Sequence, residues 1–205
     1  MSRYAVATSC VLLLLVALAS CASTKLTGSW KDPQFSAPDY GKVLVIGMAQ
    51  RPEVRQKFER VFAAAFVERG LKAVPSFEFL PKDAEMTRAT VEKALEGSDI
   101  DAVLVTRLAG VETSTEYRSA PSYMIAEPYY HEFSDYYQHV YEAIYEPGYL
   151  VTQDTVLLET NLYDVGSGQL ACTTRSKSFD PESADDVIGP LSKLVMSRLS
   201  RDGMI

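Results

Sequence analysis

The chain is poor in the residues that most active-site chemistry needs. Its 205 residues include two histidines, three cysteines and one tryptophan. Glycine is scarce where a nucleotide site would want it. The loop after the first mature apolar run reads Gly47-Met48-Ala49-Gln50-Arg51-Pro52, with a single glycine. Phosphate binding at a strand-to-helix turn needs backbone amides brought close to the anion, which glycine-rich loops allow. Neither G-x-G-x-x-G nor a Walker pattern occurs, so no nucleotide is expected and no other cofactor is called for. The G-x-S-x-G nucleophile elbow of hydrolases is missing too. Gly166-Ser167-Gly168 reads instead as a hairpin turn, far along the chain from either histidine. Positive charge is also short. The formal net charge is -7, the isoelectric point is about 4.9, and no Lys/Arg cluster reverses this locally. Phosphate polymers are repelled by such a chain, which excludes nucleic acid as a partner.

Apolar residues are plentiful, at 47%, enough for the core of one globular domain. The N-terminus reads MSRYAVATSCVLLLLVALASC, with Arg3 as a positive start and an apolar run from Ala5 to Ala19. That run of about 15 residues falls short of the roughly 20 that a spanning helix needs, and it suits a secretory signal. It ends in Leu18-Ala19-Ser20-Cys21. This stretch resembles the bacterial lipobox, in which diacylglycerol is attached to the cysteine thiol, the chain is cut before it, and the new amine is acylated. The expectation is a signal peptide over 1–20 and lipidation at Cys21. Ala22 stands where an inner-membrane retention signal would carry aspartate, so the resemblance implies an outer-membrane anchor with the body facing the periplasm. Several acyl chains give durable anchoring where one would be marginal. Processing removes Cys10 and blocks Cys21, leaving Cys172 as the only free thiol and no intramolecular disulfide.

Residues 21–41 are polar, hold Pro33, Pro38 and Gly41, and read as a lipidated N-terminus followed by a flexible tether. Trp30 could dock the end of this tether on the domain or sit at the lipid interface. A single domain is expected over 42–205. Lys42 to Gly47 is an unbroken apolar run, the mark of a strand covered on both faces. From Pro52 to Arg69, Val54, Phe58, Val61, Phe62, Ala65 and Phe66 recur at helical spacing, and Gly70 is placed to end the helix. Leu71–Val74 is a short strand. Asp83 can cap a second helix carrying Met86, Val91, Ala94 and Leu95, with Gly97 at its end. Asp101–Leu108 is a third strand. Thr152–Asp164 and Leu170–Ser176 alternate about a glycine turn, predicting a hairpin. Asp180-Pro181 pairs a cap with a first-turn proline before a last helix, about Ser183–Ser200. The fold class that follows is α/β: a three-layer sandwich with a mixed sheet in the order β-α-β-α-β, a long connection, β-β-α.

The stretches SWKDPQFSAPDYGKVLVIGM, VLVTRL and LETNLYDVGSGQL resemble a family of uncharacterised proteobacterial outer-membrane lipoproteins, over most of the mature chain. The order of elements also resembles the amino-terminal domain of TolB, at the level of fold. These resemblances imply an address and an architecture, without a reaction. Members of the lipoprotein family often carry tryptophan where Cys172 stands here, so no shared role for Cys172 is implied.

The long connection, about 110–149, is the part that invites a function. Pro128 to Tyr149 holds both histidines and seven of the twelve tyrosines. His131, Asp135 and His139 fall at i, i+4 and i+8, which on a helix would offer two imidazoles and a carboxylate to zinc. Tyrosine favours strands, however, and Glu146-Pro147-Gly148-Tyr149 is a turn signal. A strand over about 136–145 would place His131 and His139 more than about 25 Å apart and dissolve the metal site. No metal is therefore expected, with those three residues as weak candidates. Tyrosine rings join a broad apolar face to a polar tip at small entropic cost, which suits recognition. Tyr129, Tyr130, Tyr136, Tyr137, Tyr141 and Tyr145 are the candidate contact surface; covering a sheet edge with no ligand is the plainer alternative. The expected role is a non-enzymatic interaction module. It would be held to the membrane through Cys21 and would meet an unidentified periplasmic or outer-membrane protein, or peptidoglycan. A glycan or small-ligand binder is the alternative, and an unrecognised hydrolase the more distant one.

Overall fold

The computed structural model describes residues 24–33, 35, 40–81, 85–118 and 149–205. They fall into two compact units: residues up to Val111 with Thr155–Ile205, and Glu112–Asp154. In chain order the elements are β1 (Thr24–Lys31), β2 (Lys42–Met48), α1 (Pro52–Val67), β3 (Lys72–Pro75), the single turn α2 (Ser76–Phe79), α3 (Arg88–Leu95), β4 (Ala102–Arg118), β5 (Tyr149–Asp164), β6 (Leu170–Phe179) and α4 (Asp185–Arg201).

The strands form one mixed sheet in the order β1-β6-β5-β4-β2-β3. β2 runs parallel to both β3 and β4, whereas β6 is antiparallel to β1 and to β5. β4 and β5 are antiparallel, since Thr106 pairs with Thr160 and the next residue, Arg107, with the preceding one, Glu159. The expected three-layer α/β arrangement is the one found. Its physical basis is the alternation within β2 and β4. Val43, Val45, Ala102 and Leu104 point to one face, where Phe58, Phe62 and Phe66 of α1 and Ile188, Leu191, Val195 and Leu199 of α4 cover them. Leu44, Ile46 and Val103 point to the other, packed with Phe79 of α2 and Val91 and Leu95 of α3. Residues with successive side chains on opposite, equally apolar faces must be apolar without interruption.

The far side of the sheet is different. On β5 and β6 the inward residues Leu158, Leu162 and Cys172 join the α1/α4 core. The opposite face carries Glu159 and Arg175, joined across the strands at 3.3 Å. A face of charges and amides needs no covering layer.

Several expectations need correction. Residues 24–31, assigned by composition to the flexible tether, are an edge strand pairing with β6 from Thr24↔Ser178 to Lys31↔Cys172. Trp30 lies opposite Thr173 in this strand and its ring stays 45% exposed. The second helix starts at Arg88 under the cap of Thr87, whose side chain accepts from the Thr90 amide; Asp83 lies outside the described residues. Asp180 does not cap α4. It adopts φ 44°, and Ala184 occupies the cap position. The Asp186 carboxylate instead accepts from the amide and hydroxyl of Ser183, both at 2.9 Å. β4 continues to Arg118, well past the expected end at Leu108. Gly70 and Gly97 do end their helices with positive φ, at 85° and 71°.

Candidate functional site

The residues singled out by sequence lie outside the described residues: Cys21, Tyr129, Tyr130, Tyr136, Tyr137, Tyr141 and Tyr145, with His131, Asp135 and His139. What is described is the pair of strand segments that lead into the connection. In this second unit Thr113 donates to Asp154 at 2.7 Å, and the Thr115 and Thr152 hydroxyls meet at 3.4 Å. Tyr117, Tyr149 and Leu150 are exposed there, at 63%, 59% and 68%.

The sheet unit holds a separate concavity that the sequence did not announce. A cleft of about 540 Å³ opens at the carboxyl end of β2, beside Val105 near the start of β4. Its wall is mainly apolar: Ile46 and Met48 of β2, Val105 of β4, and Met86 and Val91 at the start of α3. Arg55 of α1 lines it too, and its Nε is buried with no hydrogen-bond partner. Arg51 and Arg88, nearby, are already engaged by Glu53 at 2.8 Å and Glu92 at 2.7 Å.

The backbone here is held by Glu59, one turn after Arg55 and fully buried. One carboxylate oxygen accepts from the Gly47 amide at 3.0 Å and the Ser76 hydroxyl at 2.6 Å. The other accepts from the Phe77 amide at 3.2 Å. A single side chain thus ties α1 to the end of β2 and to the first turn of α2. Gly47 is required at this point: a Cβ there would sit 2.9 Å from a ring carbon of Phe58, too close without a shift.

The remaining titratable groups read as structure. Burial pushes the Cys172 thiol up to about 11, with Asp202 adding to the effect, so it stays protonated and unreactive at neutral pH. Burial also raises Tyr40, with help from Asp164, Cys172 and Asp101. Burial alone would raise Glu159, but Arg107, Asn161 and Arg175 outweigh it and hold the carboxylate below its ordinary range. Asp99 binds Lys42 at 2.8 Å and Asp185 binds Lys57 at 2.7 Å. Asp101 accepts from the Gly41 and Lys42 amides at 2.7 and 2.8 Å, fixing the start of β2. Among the described residues no cluster of three His, Cys, Asp or Glu side chains could hold a metal ion. Among them, too, no helix is long and apolar enough to cross a membrane.

No family model matches the chain, and no curated protein matches it. Among solved structures it is similar to PelC from Paraburkholderia phytofirmans, crystallised as a dodecamer. Identity is 10%, with 85% of this chain and 96% of that one covered, and the TM-score is 0.44. It is also similar to the lipoprotein GNA1162 from Neisseria meningitidis, at 16% identity over 78% of this chain and 99% of that one, with a TM-score of 0.42. At these values the likeness transfers neither a role nor a partner.

Proposed function

We propose that the chain is a lipid-anchored protein of the bacterial outer membrane whose periplasmic body works as a non-enzymatic interaction module. The contact surface is the paired strand arm and the tyrosine-rich connection that follows it. The observation that carries this reading is the exposure of Tyr117, Tyr149 and Leu150 where β4 and β5 run into that connection. Broad rings with polar tips are favoured at contact surfaces. The address rests on the Leu18-Ala19-Ser20-Cys21 stretch and its short apolar leader.

Two experiments test the reading. Cys21→Ser should abolish processing and acylation and release the protein from the membrane fraction; unchanged size and fractionation would overturn the anchor. Crosslinking in intact envelopes should give one reproducible adduct that disappears when Tyr117, Tyr136, Tyr137 and Tyr149 become Ala. An adduct indifferent to these substitutions would move the contact surface elsewhere. Sedimentation with purified sacculi, free of other proteins, would instead favour the glycan-binding alternative.

A further inference from the structure

The geometry points to the cleft at the carboxyl end of β2 as a binding site for a small amphiphile: an aliphatic body with one anionic head. Topology is the first ground. β2 ends here, at Met48 opposite Arg107, while its neighbour β4 runs on to Arg118, so the end of β2 leaves a step beside β4. Open α/β sheets commonly bind ligands just outside the carboxyl ends of their parallel strands. The cleft lies at that step, with Ile46 to Met48 of β2, Ala49 and Gln50 just after it, and Val105 of β4 in its wall. Its volume, about 540 Å³, is within the range of small-molecule sites.

Side chains define the ligand class. Ile46, Met48, Met86, Val91 and Val105 offer an apolar wall, and methionine adapts readily to the shape of an aliphatic chain. Against it stands Arg55, with a buried Nε that has no partner. Such a donor is costly to bury and is satisfied by a carboxylate or similar anion. Glu59 stands four residues on and could have neutralised it, as carboxylates at that spacing do. Its oxygens are taken by Gly47, Ser76 and Phe77. Arg51 and Arg88 are likewise spent on Glu53 and Glu92. A single arginine left to meet the ligand and no glycine-rich loop suit a monoanion and not a polyphosphate. A medium-chain carboxylate has the required chemistry, whether it arrives free or as the acyl part of a larger lipid.

The test uses the purified full-length protein with methyl-labelled methionine and decanoate as probe. Saturable decanoate binding should shift the Met48 and Met86 methyl resonances. Arg55→Gln should weaken it by about tenfold or more, the cost of a lost charged hydrogen bond. Val91→Phe, which fills the cleft and leaves Arg55 in place, should weaken it too, whereas Lys193→Gln, an exposed charge on α4 away from the cleft, should not. The melting temperature of each variant separates lost binding from lost folding. Decanol should bind weakly and indifferently to Arg55→Gln; if it bound as well as decanoate, the charge pairing would be wrong. Absence of saturable shifts, or shifts untouched by both Arg55→Gln and Val91→Phe, would overturn the site. Comparing decanoate with lyso-phosphatidylglycerol then distinguishes a free acid from a lipid. Neither result depends on Cys21 or on the tyrosine connection.

Discussion

Glu59 is the residue whose sequence context says least about its importance. It falls among the Glu and Arg residues that separate the apolar stripe of α1, and reads as solvated. In the fold it is fully buried and takes three donors from two other elements. Removing one member of such a network strands the rest, so Glu59→Ala should lower stability by about 2–4 kcal/mol. Urea denaturation would show this, and a loss near zero would mean that water replaces the carboxylate. Glu159 makes a pH-dependent contribution. Its folded value lies below the ordinary 4.5, so folding favours the ionised form. The stabilisation is present above about pH 4.5 and is lost as pH falls below it, through the folded value. The denaturation midpoint of Glu159→Gln should therefore lie below that of the parent protein at pH 7, and the gap should narrow steadily below about pH 4.5. A gap independent of pH would show that Arg107 and Arg175 do not act on the charge.

At the scale of elements, legibility followed burial. β2 and α1 were readable because one is sandwiched and the other amphipathic, and each condition imposes a period on the sequence. β1 was not readable. Its residues, TKLTGSWK, pair on one side only, are mostly exposed, and include a register shift between Leu26 and Gly28. An edge strand of that kind needs neither an apolar run nor a clean alternation, so its polar, proline-flanked surroundings looked like linker. α2 escaped because a single turn has no period to detect. The cleft went unseen because its wall comes from β2, β4, α1 and α3, and only the fold brings Arg55 beside Met86. If β1 is structural, deleting residues 24–31 should lower the melting temperature by about 5 °C or more. An unchanged melting curve would show that β6 is an adequate edge by itself.

For the whole molecule, the partition into two units makes a separable prediction. The Thr106–Thr160 and Arg107–Glu159 pairs place Val111 across from Thr155, at the boundary of the sheet unit. Replacing residues 112–154 by Asn-Gly would close β4 onto β5 with a two-residue hairpin turn suited to strand twist. The shortened protein should fold cooperatively and keep decanoate binding, while losing the crosslinked adduct. Loss of folding would show that the sheet depends on the second unit. Retention of the adduct would place partner recognition in the sheet unit.

The early start of β1 sets a leash length. Only three peptide steps separate Cys21 from Thr24, and even fully extended they reach about 11 Å. The roughly 20-residue tether suggested by composition would have reached some 70 Å. With acyl chains on Cys21, the body would ride close to the leaflet that holds it, with its motion confined to sliding and tilting. A distant structure would have to approach that surface to be met.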